Sequence, residues 1–135
     1  MITNAETQRA ALERRIQQFY YCLNQRDFSQ CYRMIDPRVR DKRGSVSLAL
    51  YQDALLQFMD RFGPLRVLEM SVSLHLDETS KLYEGRDFAV GKTVCSDKDG
   101  ERNVFLERWV RQGQDWYTRS TGFIAPEPSY FTTTT

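Results

Sequence analysis

Apolar residues in the first part of the chain recur every three or four positions, the spacing of one helix face. The first recurring set is Leu12, Ile16, Phe19 and Leu23. Thr3 precedes this set and Glu6 follows three residues later, a capping-box pattern that starts helices. A second set follows Asp27, a residue type that caps helices, and comprises Phe28, Cys31 and Ile35. The pattern predicts two N-terminal helices, the second ending before Pro37.

A third helix is predicted after a polar link. The stretch "PRVRDKRG", residues 37–44, shows no apolar periodicity, so we predict a link there. Beyond it, one helical stripe carries Tyr51, Leu55, Phe58 and Phe62. Gly63 and Pro64 are expected to end this helix, because glycine adopts positive φ easily and proline cannot continue a helix.

From residue 65 onward the apolar spacing changes to two, which is typical of strands with one buried face. In "LRVLEMSVSLHLDE" the predicted buried face is Leu68, Met70, Val72, Leu74 and Leu76. Three more strands are predicted in "GRDFAVGKTVCS", "ERNVFLERWVR" and "WYTRSTGF", joined by the turns "DKDG" and "QGQD".

Helices followed by a strand meander predict an α+β domain, with three helices packed on one face of an antiparallel sheet of four or more strands. We place this single domain at residues 1–125. The segment 126–135 ends in "PSYFTTTT" and is predicted to be a flexible or arm-like tail.

Composition removes several classes of function. The chain has 19 basic and 18 acidic residues, and nucleic-acid binding depends on neutralising phosphates, so we expect no nucleic-acid partner. No apolar run is long enough to cross a bilayer, and no signal peptide is visible, so we expect no membrane association. Cys22, Cys31 and Cys95 have no metal-type spacing and suggest reduced thiols in a cytoplasmic protein. With a single histidine as well, we predict neither a metal nor another cofactor.

Candidate chemistry centres on the third predicted strand. Alternation places Phe105, Glu107, Trp109 and Arg111 on one face, and Val104, Leu106, Arg108 and Val110 on the other. If the aromatic face is buried, Glu107 lies beside an indole and desolvation raises its pKa. Alternatively, Glu107 pairs with an arginine at the sheet surface.

The second face of this strand leads to a prediction about assembly. A sheet covered by helices on one side only should be mostly polar on its other side. Three of the four positions on the second face are nevertheless apolar. We therefore predict that a second copy of the chain covers this face, giving a homodimer.

Two stretches carry a resemblance to a known family. "IQQFYYCLNQRDFSQCYRMIDP" and "RWVRQGQDWY" resemble the first two helices and the closing hairpin of the NTF2-like superfamily, also called cystatin-like or SnoaL-like. The resemblance covers residues 8–123. It implies a sheet curled around the first helix into a cone with a pocket. Members include ketosteroid isomerases, scytalone dehydratase, polyketide cyclases and non-catalytic interaction modules.

The resemblance also implies site residues. The isomerases use a carboxylate base before the third helix, a tyrosine on the first helix and a protonated acid on a late strand. Asp41 falls near the base position and Glu107 near the strand acid, so both are candidate catalytic residues. The tyrosine position matches Phe19, and Tyr20 is expected to point about 100° away around the helix. Asp41 also fits a surface acid, because four basic residues surround it: Arg38, Arg40, Lys42 and Arg43.

The resulting functional hypothesis is a pocket domain that binds a small hydrophobic molecule. Its candidate pocket residues are Phe19, Tyr51, Phe58 and Trp109. Two alternatives remain open. One is a non-catalytic dimeric interaction module, and the other is a cofactor-independent isomerase, dehydratase or cyclase that uses a pocket carboxylate.

Overall fold

The computed structural model describes residues 2–41, 47–76, 83, 85–119 and, for the backbone only, 131–133. Within these residues four helices precede five strands: α1 (Asn4–Asn24), α2 (Phe28–Arg33), α3 (Pro37–Arg40), α4 (Leu48–Phe62), β1 (Arg66–His75), β2 (Phe88–Ser96), β3 (Arg102–Gln112), β4 (Asp115–Thr118) and β5 (Phe131–Thr133). The α+β class, with N-terminal helices and an antiparallel sheet, is confirmed. None of these helices is both long and apolar enough to span a bilayer.

Capping side chains start the first two helices where the sequence predicts. The Thr3 hydroxyl accepts a hydrogen bond from the Glu6 backbone N–H at 3.1 Å, and the Asp27 carboxylate accepts one from that of Gln30 at 3.4 Å.

The helix α3 is an addition to the prediction, since it occupies the start of the predicted polar link. Asp36 caps it and Pro37 stands at its first position. Its single turn has four residues, which is too short to show apolar periodicity. Residues 42–46 of the link lie outside the described residues.

The sheet is the predicted meander, in the order β1-β2-β3-β4 with antiparallel pairing. The strand β3 is its centre, because β2 pairs along one edge while β4 and β5 share the other. In this way residues 131–133 of the predicted tail join the sheet, opposite Asn103–Phe105. The strand β4 ends at Thr118, and the rest of the predicted fourth strand, from residue 120 on, lies outside the described residues.

A bulge in β1 changes which residues face the core. Val67 pairs with Cys95 and Glu69 with Val94, so Leu68 is an extra residue between two paired positions. Leu68 is 43% exposed, whereas Val67 packs against the core. The prediction that Leu68 shares the buried face with Met70 is therefore wrong, because the bulge shifts the alternation by one residue.

The core lies between α1, α2, α4 and one face of the sheet. Its fully or nearly buried members include Ile16, Phe19, Tyr20, Cys31, Tyr51, Leu55, Met59, Ala89, Phe105, Trp109 and Trp116. On α4, Met59 takes a deep position, whereas Phe58 and Phe62 are only half-buried. Both rings contact the Phe105 ring, with centroids 5.7 and 5.8 Å away.

The second face of β3 is partly covered within the single chain. Val110 is fully buried and Val104 nearly so. Val110 pairs with Phe88, whose ring lies 4.7 Å from that of the buried Tyr83. Burial of these two valines thus takes place without a second copy, and the homodimer remains a prediction.

At Gly63, the end of α4 packs closely against Lys98 in the turn between β2 and β3. Gly63 has φ +67°, and a Cβ added there would lie 2.5 Å from the Lys98 Cβ. Lys98 cannot easily withdraw, because its backbone N–H and its Nζ donate hydrogen bonds to the carbonyls of Phe62 and Asp60 at 2.8 and 2.6 Å. The position therefore requires glycine for two separate reasons, its backbone conformation and its lack of space.

We expect Gly63→Ala to lower the free energy of unfolding by about 2–4 kcal/mol, since it adds a clash to the cost of a positive φ. Gly100→Ala is the matched control, because Gly100 has φ +77° with no atom within 4 Å of the added Cβ. The control should lose only the backbone contribution, about 1–2 kcal/mol. Urea denaturation of both variants measures the difference, and equal losses would contradict the clash.

Candidate functional site

Helix α1 and strand β3 bring Tyr20 and Glu107 together in the core. The Tyr20 hydroxyl donates a hydrogen bond to Oε1 of Glu107. Trp109 Nε1 and Thr93 Oγ1 donate to Oε2 at 3.2 and 3.4 Å. The carboxyl group, whose residue is 8% exposed, thus meets three donors, one of them an indole N–H. The structure places Glu107 on the buried face, and not beside an arginine at the sheet surface.

The neighbouring strand makes room for this carboxyl group. Gly91 pairs with Glu107 across the β2–β3 ladder. A Cβ at Gly91 would lie 3.1 Å from Glu107 Oε2 and 3.4 Å from Ile16 Cδ1. Any larger side chain would compete with the carboxyl group for this space, so the glycine lets a long acidic side chain fit beneath α1.

Burial dominates the electrostatics of the site. It raises the pKa of Glu107 to about 7, although the hydrogen bonds from Tyr20, Trp109 and Thr93 act in the opposite direction. Burial and then the charge of Glu107 raise the pKa of Tyr20 well above its usual value. The same two causes raise the pKa of Cys95 to about 12, so Cys95 is a thiol and not a nucleophilic thiolate at neutral pH.

This arrangement can exchange a proton near neutral pH. When Glu107 is ionised, the Tyr20 hydroxyl proton forms the hydrogen bond to the Glu107 carboxylate. When Glu107 is protonated, the pair holds two O–H protons, and one of them can be donated to an oxygen atom from outside. A tyrosine and a neutral carboxylic acid that act in this way can bind a carbonyl oxygen, or hold one that gains negative charge.

Tyr20 is a site residue that sequence reasoning did not select. Its offset of about 100° from Phe19 does not remove it from the strand acid, because Phe19 and Tyr20 are both buried under the sheet. Phe19 packs edge-on against Trp109, with centroids 6.2 Å apart, and Tyr20 lies beside Phe105. The buried face of α1 is wide enough for two adjacent residues. The spacing Leu12, Ile16 and Tyr20 was the signal that could have revealed this.

Of the other predicted residues, Trp109 joins this group through its indole N–H, whereas Asp41 and Tyr51 make no hydrogen bond to it. Asp41 follows α3, is exposed, and accepts a hydrogen bond from Arg40 Nε at 3.3 Å, as expected for a surface acid. Tyr51 is fully buried on α4, and its hydroxyl has no hydrogen-bond partner among the described residues.

A second buried acid was not singled out from the sequence. Asp36 is fully buried and receives both terminal nitrogens of Arg86, at 2.9 and 2.8 Å, and Nη1 of Arg119 at 3.0 Å. Burial alone would raise the pKa of Asp36, but the hydrogen bonds from Arg86, from the Arg38 backbone N–H and from Arg119 hold it below its usual value. The cluster ties the segment before α3 to β4, because the Asp36 N–H also donates to the Thr118 carbonyl at 2.9 Å.

Within the described residues, no group of three or more His, Cys, Asp or Glu side chains is arranged to hold a metal ion. No protein-family model, curated protein or solved structure matches this chain. The geometry of the Tyr20–Glu107 pair and its surroundings is therefore what bears on function.

We expect Tyr20→Phe to raise the pKa of Glu107 above about 7. In the wild type, the hydrogen bond from Tyr20 stabilises the ionised carboxylate, and the variant loses that stabilisation. At pH 8 the variant should also lose about 1–3 kcal/mol of unfolding free energy. Titration of the ¹³C-labelled Glu107 carboxyl by NMR measures the first effect. Tyr21→Phe is the control, since Tyr21 is exposed on the same helix. An unchanged Glu107 titration in Tyr20→Phe would contradict the assigned hydrogen bond.

Proposed function

We propose that this chain is a binding domain for a small apolar molecule that carries a hydrogen-bonding oxygen, and that Tyr20 and Glu107 anchor that oxygen. The observation that carries the proposal is a carboxyl group buried among aromatic rings, with its pKa raised to about 7. Small-molecule sites are typically apolar with a few convergent polar groups. Titratable groups whose pKa is strongly perturbed by burial also concentrate at functional sites.

A purely structural role explains this group less well. Burying an ionisable side chain opposes folding even when it is hydrogen-bonded, and a well-packed apolar residue at the same place is often as stable or more stable. Among the described residues, Glu107 is the glutamate that is buried, and most of the core around it is apolar. The presence of this carboxyl group next to Tyr20 supports a role in binding.

The aromatic residues supply an apolar path to the carboxyl group. The half-buried ring of Phe58 lies 5.7 Å from that of Phe105, which lies 6.4 Å from that of Tyr20. We propose that a ligand enters along these rings. Phe19, Tyr51 and Trp109 would then form the deeper wall, in the cone-shaped pocket that the resemblance to NTF2-like proteins implies.

Cofactor-independent isomerase, dehydratase or cyclase activity is the catalytic form of the same proposal. The Tyr20–Glu107 pair could hold a carbonyl oxygen as an enolate develops. Proton abstraction also needs a base, and the candidate, Asp41, is exposed and paired with Arg40. The geometry therefore supports binding better than catalysis.

A thermal-shift comparison of naphthalene and 2-acetylnaphthalene tests the binding proposal, since the two differ by one carbonyl group. We expect the ketone to raise the melting temperature more than the hydrocarbon, and Glu107→Leu to abolish that difference. Glu69→Leu is the matched control, because Glu69 is an exposed strand residue. Equal effects of the two compounds on the wild-type protein, or no effect of either, would contradict the proposal.

The homodimeric interaction module is a second candidate, supported by exposed apolar residues on the sheet. Val90 and Leu68 are 38% and 43% exposed. Sedimentation of Val90→Lys, with Leu50→Lys on the outside of α4 as control, tests this candidate. We expect a dimer that only the Val90 variant weakens. A wild-type monomer at micromolar concentration would contradict it.

A further inference from the structure

Tyr51 presents a buried polar atom whose role the fold does not explain. It is fully buried on α4, and its ring packs against that of Tyr32 with centroids 5.6 Å apart. Its hydroxyl oxygen makes no hydrogen bond within the part of the chain that the structure describes. A buried hydroxyl without a partner forfeits the hydrogen bonds that it makes to water in the unfolded chain.

Other buried polar side chains in the described residues do not share this property. Glu107, Thr93 and Asp36 each form hydrogen bonds, as do Asn103 and Thr118. The nearby thiol of Cys31 is directed to the Phe19 carbonyl oxygen, at 3.9 Å. Phenylalanine would fill nearly the same space at position 51 without the unsatisfied group, so no hydrogen bond among the described residues accounts for the hydroxyl.

We infer that the Tyr51 hydroxyl is a second anchor in the proposed ligand site, where it donates a hydrogen bond to an acceptor oxygen at the end of the ligand remote from Glu107. The inference rests on the proposed function, because it needs a ligand beneath α1. It adds a chemical requirement, since the ligand must be apolar along its length and carry an oxygen near each end. Tyr51 remains protonated and able to donate at neutral pH, since burial raises its pKa well above the usual value.

A row of aromatic side chains connects Tyr51 to the Tyr20–Glu107 pair. Tyr51 and Phe58 are seven residues apart on the same stripe of α4, which corresponds to about 10 Å along the helix axis. Phe58 contacts Phe105, which is adjacent to Tyr20. Tyr51 and Tyr20 belong to one continuous core cluster. The ligand would therefore lie along this row of side chains, with one oxygen near Tyr51 and the other near the Tyr20–Glu107 pair.

Two probes that differ by one oxygen test the inference, 2-acetylnaphthalene and 6-acetyl-2-naphthol. Dissociation constants are measured by isothermal titration for the wild type, Tyr51→Phe, Glu107→Leu and the exposed control Tyr21→Phe. We expect the wild type and the control to bind 6-acetyl-2-naphthol, which has two oxygens, about three- to tenfold more tightly than 2-acetylnaphthalene. Tyr51→Phe should bind both probes equally, while Glu107→Leu weakens both.

A second measurement, on the unliganded protein, separates a ligand anchor from a structural hydroxyl. Because Tyr51 has no described partner to lose, Tyr51→Phe should melt at the wild-type temperature or above. A lower melting temperature would overturn the inference, since it would show that the hydroxyl is already satisfied. Unchanged affinities in Tyr51→Phe, with weaker binding by Glu107→Leu, would overturn this inference alone. Failure of both probes to bind the wild type would overturn it together with the proposed function.

Discussion

Replacing Asp36 with alanine is expected to lower the free energy of unfolding by about 3–5 kcal/mol, because it leaves buried positive charge without its partner. The Asp36 side chain is fully buried, and those of Arg86 and Arg119 are 9% and 22% exposed. Urea denaturation at pH 7 measures the loss. Asp41→Ala is the control, since Asp41 is exposed and pairs only at the surface, where removal costs about 0.5 kcal/mol or less.

The pH dependence of the same cluster gives an independent check. The pKa of Asp36 is lower in the folded protein than in the unfolded chain. Its contribution to stability is therefore present above the unfolded pKa, about 4, and is lost as the pH falls through the folded pKa. The difference in stability between wild type and Asp36→Ala should shrink in acid. A difference that stays constant from pH 7 to pH 2 would contradict the ionic role.

Glu107 should produce the opposite pH dependence. Its folded pKa is raised from 4.5 to about 7, so the folded state binds more protons than the unfolded state between these values. Its favourable contribution is complete below pH 4.5 and is lost as the pH rises through 7. A shift of this size corresponds to about 3 kcal/mol of unfolding free energy.

The measurement compares wild type with Glu107→Gln by urea denaturation from pH 4 to pH 8. We expect the wild type to lose about 3 kcal/mol relative to the variant across this range, since glutamine cannot ionise. Glu69→Gln, at an exposed position, should follow the wild-type curve. Parallel curves for wild type and Glu107→Gln would show that the carboxyl group does not change protonation in this window.

Local features of the fold were predictable because they depend on neighbours in the chain. Thr3 and Asp27 accept hydrogen bonds from residues three positions ahead, so their capping roles are visible in the sequence. The alternation in β3 correctly separates Glu107 and Trp109 from Arg108. The bulge at Leu68 was not predictable in this way, because the register of β1 is defined only by its pairing with β2.

The candidate site was only half predictable for a similar reason. Glu107 stands out because an acid interrupts an apolar face. Its partner Tyr20 is 87 residues away, and which residues of α1 meet β3 depends on how the helix rotates over the sheet. The Asp36 cluster joins residues 50 and 83 positions apart. Periodic spacing can show that a residue such as Tyr20 faces the core, but it does not show which distant side chain becomes its hydrogen-bond partner.

The pairing of β5 with β3 has a practical consequence for handling the protein. Phe131 lies opposite Phe105, and Phe105 is two residues before Glu107 on the same face of β3. A purification tag or fluorescent protein fused after Thr133 would therefore be attached to β5, the direct neighbour of the strand β3 that carries the Glu107 carboxyl group. A fusion placed before the exposed Ile2 avoids this strand. Labelled material for the titrations above is best prepared from an amino-terminal fusion.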